Sequence, residues 1–146
     1  MAKRIDKEYT TLDILEALYH YRALTVDQLW YVFYPNSQHY VYMKMTYLRK
    51  KDLVKSERYK NTSCYMITQK GINELEKEGR VKKPRLAKNN LRDLGDLWRI
   101  VQANDIYAYL SPYGYEVIEM REWKQKHDMN RNARVAAGLI TKDGKE

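Results

Sequence analysis

The sequence is poor in cysteine, proline and glycine, with one, three and six copies among its 146 residues. The single cysteine, Cys64, excludes an intramolecular disulfide and any zinc site built from several cysteines. The six glycines form no glycine-rich phosphate-binding loop. No apolar run approaches the roughly 18 residues of a membrane span, and residues 1–9 do not resemble a signal peptide. We therefore predict a cytoplasmic protein that does not enter membranes.

Residues with catalytic potential are also poorly spaced. The carboxylates considered in the C-terminal half are Asp105, Glu116, Glu119 and Glu122, four of the nine acidic residues there. Their spacing matches no arrangement that would converge on a catalytic metal ion. The histidines, His20, His39 and His127, are too far apart in sequence to suggest zinc. Cys64 has no predicted activating base. The sequence thus predicts no enzyme, no cofactor and no metal site.

Positive charge is concentrated in the first 90 residues. They carry 18 Lys and Arg against 10 Asp and Glu, whereas residues 91–146 carry nine of each. The net charge of +8 therefore belongs to the N-terminal part. A localised positive field is typical of a nucleic-acid-binding surface, although anionic membranes and acidic proteins also attract such surfaces. The 14 tyrosines suit half-buried positions at interfaces but name no partner.

Residues 37–67 form the stretch around which the chain is organised. A helical pattern from Ser37 to about Lys51 places Val41, Met45 and Leu48 on one side. Strands are predicted at 53–56 and 64–67, with a polar loop between them at 57–63. Two shorter helices precede this stretch, with threonine caps at Thr10 or Thr11 and at Thr25, and another follows it over 69–78. The order predicts a mainly α fold with a small β wing (α+β), the winged helix-turn-helix.

The side of the third helix opposite its apolar stripe carries hydrogen-bonding, stacking and basic side chains. On an isolated helix this would be an ordinary solvated face, but the preceding helices and the following hairpin favour a surface that enters a DNA groove. The residues predicted to read bases are Ser37, Gln38, His39, Tyr42 and Thr46. The residues predicted to bind phosphates are Lys44, Arg49, Lys50, Lys51, Arg58 and Lys60, the last two at the tip of the loop.

The second half of the chain reads as a separate lobe. We predict a winged-helix domain over 10–80, a basic linker over 81–90, and a lobe over 91–146 for dimerisation or partner contact. The lobe should contain a long helix from Leu91 to about residue 110, a strand at 115–120 and a strand at 134–140. A turn at 143–144 follows the last strand, yet only two residues remain after it. We expect that strand to lack a partner, so either the chain is a truncated piece of a longer protein, or its last segment is disordered or pairs with something else.

Three sequence pieces carry a family resemblance: LTVDQL at 24–29, LRKKDLVKS at 48–56 and YMITQKGINEL at 65–75. Together with VQANDI at 101–106 and the Gly-Tyr and Glu-Trp pairs that follow, they resemble the replication-relaxation family of plasmids and other mobile elements. The first three pieces also occur, more loosely, in PadR-like and MarR-like winged-helix regulators. The resemblance covers roughly residues 10–140. Where that family commonly has a Pro-Asp-Gly-like turn leading into a nuclease-like fold, this chain has Ala136-Ala137-Gly138, so the family's metal chemistry is not expected here.

The resemblance implies a double-stranded DNA-binding accessory protein of plasmid or mobile-element replication or conjugative DNA processing. We expect a homodimer, with replication or relaxosome proteins as candidate further partners. One alternative is a transcriptional repressor of a mobile element. An alternative from another class is a winged helix that binds a protein and leaves its DNA face unused. A fragment of a nuclease is a third, and it would require metal-dependent nicking.

Overall fold

The computed structural model describes residues 8–59, 61–84, 86–87, 94–119, 122 and 137–140, and they form a mixed α+β fold. The helices in this described part are α1 (Thr11–Tyr21), α2 (Val26–Phe33), α3 (Gln38–Lys50), α4 (Gln69–Lys77) and α5 (Leu94–Leu110). The strands are β1 (Leu24–Thr25), β2 (Val54–Tyr59), β3 (Thr62–Ile67), β4 (Glu116–Glu119) and β5 (Ala137–Ile140). The predicted α+β class is confirmed.

Hydroxyl side chains cap the first four helices at Thr10, Thr25, Ser37 and Thr68. At two of these caps the bonding is reciprocal, because Asp13 and Gln28 accept hydrogen bonds from the backbone N–H of Thr10 and Thr25, both at 2.9 Å. Such caps satisfy backbone donors that have no partner inside the helix, and each stabilises by about 1 kcal/mol. They fix where α1 to α4 begin, and these starts agree with the sequence prediction.

A three-stranded antiparallel sheet in the order β1–β3–β2 lies beside these helices. Strand β1 has only two residues, and Leu24 and Thr25 pair with Tyr65 and Cys64. The sequence predicts no strand between the first two helices, so β1 was missed. Two residues are too few to show an alternating pattern, so the pairing with β3 defines this strand.

The β2–β3 hairpin is longer than predicted. Its ladder runs from Val54 paired with Ile67 to Tyr59 paired with Thr62, so most of the predicted loop at 57–63 belongs to the strands. Arg58 lies in β2 opposite Ser63 and is not at a loop tip. The polar composition of 57–63 suggested a loop, but an exposed hairpin tolerates polar side chains because the ladder hydrogen bonds join its backbones. Lys60, the other predicted tip residue, lies outside the described residues.

Strands β4 and β5 form a second antiparallel sheet, with Glu116 paired with Ile140 and Glu119 with Ala137. We expected the last strand to lack a partner, and this expectation is wrong. The turn signal at 143–144 had suggested a partner strand after the last strand. The actual partner precedes it in the chain, across a connection too long to be read from turn residues.

Helix α3 is anchored by the predicted stripe, because Val41, Met45 and Leu48 are all within 1% of complete burial. They belong to one core that α1, α2, α4 and the first sheet share. Tyr107 of α5 and Val117 of β4 belong to that core too. The segment predicted as a C-terminal lobe therefore packs its apolar side chains on the N-terminal helices.

Buried amides fasten α5 to the corner between α1 and α2. Asn104, 4% exposed, donates hydrogen bonds to the backbone oxygens of Tyr21 and Ala23, both at 2.7 Å. Gln28, also 4% exposed, donates to the backbone oxygen of Val101 at 2.7 Å and to Asp105 Oδ1 at 2.8 Å. Because buried carbonyl groups need partners, these bonds specify one position for α5.

Two charged or polar residues at the C-terminal end of α1 add to this attachment. Arg22 forms an ion pair with Glu119 of β4 at 2.6 Å, and both side chains are largely buried. His20 Nδ1 lies 2.9 Å from a carboxylate oxygen of Glu122. The C-terminal end of α1 is thus joined by charged and polar contacts to β4 and to Glu122, three positions after that strand.

Replacing Asn104 with leucine should destabilise the whole chain. Leucine has similar size but no donor, so the carbonyl groups of Tyr21 and Ala23 would stay buried without these hydrogen bonds. We expect the free energy of unfolding in urea to fall by about 2–4 kcal/mol. Gln102→Leu, at an exposed position of the same helix, is the matched control and should change it by less than about 0.5 kcal/mol. Equal stabilities of the two variants would contradict the role assigned to Asn104.

Candidate nucleic-acid interface

The outer face of α3 contains no acidic residue. Opposite the buried stripe lie His39, Tyr42, Met43 and Lys50, all exposed, and Thr46, which is partly exposed. Tyr42 and Met43 are 49% and 56% exposed, which is high for large apolar side chains. Burial of one side of the helix is what turns these residues toward solvent, since side chains on a helix follow its 3.6-residue period.

Positive charge gathers at the C-terminal end of α3. Arg49 and Lys50 are exposed in its last turn, and Lys51 caps the helix. Cations are favoured there because the helix dipole leaves partial negative charge on the last carbonyl groups. Tyr47, 52% exposed, lies between the ammonium groups of Lys44 and Lys51, at 5.6 and 5.7 Å from its ring centroid. These cation–π contacts hold the ring and the two lysines together at the surface.

Ser37, Gln38 and Lys44, all predicted to bind DNA, make hydrogen bonds with other parts of the chain. The Ser37 hydroxyl accepts from the backbone N–H of Tyr40 at 3.1 Å. Gln38 donates to Asp27 Oδ1 of α2 at 3.0 Å, and Lys44 donates to Thr11 Oγ1 of α1 at 2.6 Å. Lys44 therefore lies on the flank of α3 that faces α1, away from the residues grouped around Tyr42.

Arg49 connects the helix to the hairpin. Its guanidinium donates to Ser56 Oγ of β2 at 3.3 Å. The neighbouring Tyr65 of β3 also feels this charge. Burial raises the pKa of Tyr65 and the nearby Tyr42 adds to that increase, whereas Arg49 lowers it. Tyr42 and Arg49 thus lie beside the sheet, and the exposed face of α3 continues onto the hairpin.

The hairpin adds a basic group to this face. Arg58 of β2 is exposed on the same side of the sheet as Ser56, the partner of Arg49, whereas the exposed Lys55 and Glu57 lie on the opposite side, which packs on α5. Lys70 of α4 donates to the backbone oxygen of Lys51 at 2.9 Å, which brings another ammonium group to the end of α3. We define the α3 face as the exposed residues of α3 together with Lys51 and Arg58.

Sequence reasoning missed Tyr40 and Lys70 in this neighbourhood. Tyr40 is 49% exposed and packs edge to face on Tyr34, with ring centroids 4.7 Å apart. The contact of Lys70 with Lys51 spans 19 positions in sequence, so only the fold reveals it.

Other kinds of site find little support in the described part of the chain. No group of three or more His, Cys, Asp or Glu residues lies there in an arrangement that could hold a metal ion. Cys64 is fully buried, and burial raises the pKa of its thiol, so little thiolate forms at neutral pH. None of the described helices has the length and apolarity required to cross a bilayer.

No protein-family model matches the chain, and no curated protein or solved structure was found to be significantly similar to it.

Substitutions at Ser37 test its role as the cap of α3. Ser37→Ala removes the acceptor for the Tyr40 N–H and should lower the free energy of unfolding by about 1 kcal/mol. Ser37→Asp keeps a good cap and should stay within about 0.5 kcal/mol of the parent chain. Urea denaturation followed by circular dichroism measures both. An alanine variant as stable as the parent would show that the cap does not stabilise α3.

Proposed function

We propose that the chain is a double-stranded DNA-binding protein of the winged helix-turn-helix class, with α3 as the helix that enters the major groove. The element order supports this proposal, because a helix, a short strand, two helices and a β-hairpin follow one another in α1–β1–α2–α3–β2–β3. The sheet order β1–β3–β2 places the hairpin next to the strand that precedes α2. A second helix followed by a basic recognition helix is the arrangement that helix-turn-helix proteins use.

The acid-free α3 face is the observation on which the proposal chiefly depends. A helix with its side chains is about 10–12 Å wide and the major groove about 12 Å, so one helix fits. DNA would repel carboxylates at such close range, and α3 has none from Gln38 to Lys50. Its basic groups lie at the end nearest the hairpin, where they would contact the phosphates that border the groove.

The middle of the α3 face has suitable chemistry for base edges. His39, Tyr42 and Thr46 can donate and accept hydrogen bonds, and Met43 offers an apolar contact for the methyl group of thymine. Gln38 could bind adenine in the bidentate manner of glutamine only by leaving its hydrogen bond with Asp27. We therefore assign base reading chiefly to the residues grouped around Tyr42, with Ser37 retained mainly as a cap.

The hairpin supplies contacts that do not depend on base sequence. Arg58 of β2 is exposed to solvent, and Arg49 bridges from α3 to Ser56 on the same side of that strand. In the proposed complex, α3 lies in the major groove while this strand lies over a neighbouring phosphate backbone. Lys60, which lies outside the described residues, remains a predicted phosphate ligand.

Charge reversal at both parts of the α3 face tests DNA binding directly. Lys50→Glu combined with Arg58→Glu should weaken binding to duplex DNA by roughly 100-fold, because each reversal turns attraction to a phosphate into repulsion. The matched control is Lys77→Glu with Lys82→Glu, which makes the same change in net charge at exposed positions on and after α4. Fluorescence anisotropy with a labelled duplex measures both.

The control variant should lose much less affinity than the α3-face variant. Equal losses would mean that only the overall charge matters, and the proposed docking would then be wrong. An unchanged affinity of the Lys50→Glu, Arg58→Glu variant, or preserved function without DNA binding, would instead favour a surface that binds protein.

For the biological role, we propose an accessory factor of plasmid or mobile-element replication or of conjugative DNA processing. The resemblance to the replication-relaxation family is the basis of this choice, and it depends on VQANDI at 101–106 and the pairs at 114–115 and 122–123, because the pieces within 24–75 also occur in other winged-helix regulators. Deletion of the gene from its replicon should change plasmid copy number or transfer frequency. A reporter fused to its own promoter provides the contrast, because repression without any change in copy number or transfer would favour a transcriptional repressor.

A further inference from the structure

A groove of about 810 Å³ lies between α2 and α5, outside the α3 face. Pockets that bind drug-sized molecules commonly have volumes of about 300–1,000 Å³. The buried hydrogen bonds of Gln28 and Asn104 hold the two helices in place, so the groove exists without a ligand. Its walls offer two chemical features that together define a ligand class.

The first feature is exposed aromatic surface. Trp30, Tyr31, Trp98 and Tyr109 line the groove, and Tyr109 is 67% exposed. The rings of Tyr31 and Tyr109 are parallel to within 2°, with centroids 6.4 Å apart. The two ring planes therefore have the same orientation. Aromatic faces attract both flat ring systems and cations.

The second feature is negative charge in a basic protein. The described residues that line the groove include the carboxylates Asp27 and Asp105 but no lysine, arginine or histidine. Both carboxylates are positioned by amide donors, since Asp27 Oδ1 accepts from Gln38 at 3.0 Å and Asp105 Oδ1 accepts from Gln28 at 2.8 Å. The chain as a whole has a net charge of +8, so the charge of the residues described in this groove is opposite in sign to the net charge of the chain.

We propose that the groove between α2 and α5 is a binding site for flat aromatic cations. The ring faces would stack on the ligand, and the two carboxylates would attract its positive charge. The same carboxylates would repel phosphates, so the groove is not an extension of the nucleic-acid surface. This proposal does not depend on DNA binding by α3.

N-methylacridinium and acridine make a suitable pair of probes for the full chain. They have the same three-ring shape, but only the first carries a permanent positive charge at a pH where acridine is neutral. Isothermal titration calorimetry should show saturable binding of N-methylacridinium and at least about ten-fold weaker binding of acridine, since both carboxylates and the ring faces act on the charge. Quenching of tryptophan fluorescence should accompany binding, because Trp30 and Trp98 line the groove.

Substitutions locate the site. Asp27→Asn and Asp105→Asn should each weaken binding of N-methylacridinium about three-fold, as expected for exposed charges, and together about ten-fold. Asparagine keeps an oxygen acceptor for Gln38 or Gln28, so the fold should persist. Asp52→Asn is the matched control at an exposed carboxylate outside the groove and should leave binding unchanged. Tyr109→Leu removes one exposed ring and should also weaken binding.

Three results would overturn the proposal. They are the absence of saturable N-methylacridinium binding, equal affinities for acridine and N-methylacridinium, and a double asparagine variant that binds as well as Asp52→Asn. A Lys-Trp-Lys peptide that binds saturably where N-methylacridinium does not would replace the proposal with a peptide-binding groove. Circular dichroism of each variant confirms that the loss is not due to unfolding.

Discussion

Burial of Val41, Met45 and Leu48 determines the orientation of α3, and the rest of the α3 face depends on it. Rotating the helix by one residue would expose these apolar groups to water, at about 1.5–3 kcal/mol for each side chain. Because this stripe faces the core, the residues around Tyr42 on the other side of the helix face solvent. Exposure of large apolar side chains there is therefore a consequence of core packing, and it places stacking and hydrogen-bonding groups together without any acid beside them.

Helix α2 connects this face to the second half of the chain. The side-chain oxygen of Gln28 accepts from the Thr25 N–H at the start of α2, and its side-chain nitrogen donates to the backbone of α5. At the first turn of α2, Asp27 accepts from Gln38, the first residue of α3. The hydrogen bond between Asp27 and Gln38 thus joins a residue of the groove to a residue of the α3 face. Helix α2 packs on both α3 and α5.

Local features of the sequence predicted much of the N-terminal half. Capping hydroxyl groups at Thr25, Ser37 and Thr68 marked the helix starts, and the helical period of α3 identified its buried side. These signals act within about four residues, so they can be read without the fold. The two-residue strand β1 and the extended ladder that includes Arg58 depend on pairing between strands, which composition did not reveal.

Long-range polar contacts were not predictable in the same way. The contact of Lys44 with Thr11 spans 33 positions, and that of Asn104 with Ala23 spans 81. No pattern in one sequence specifies such partners, since they follow from how whole helices pack. For the same reason the groove between α2 and α5 was not anticipated, although its aromatic residues are visible in the sequence.

The central claim is that the α3 face binds a defined segment of duplex DNA through phosphate contacts and base contacts together. The most direct measurement is fluorescence anisotropy of the purified chain with duplexes tiled from its own replicon, repeated over a series of salt concentrations. We predict tight binding to one segment, with a slope of roughly −4 in the logarithm of affinity against the logarithm of salt concentration, as expected when about four phosphates are neutralised. Equally weak binding to every duplex, or affinity that does not change with salt, would contradict the claim.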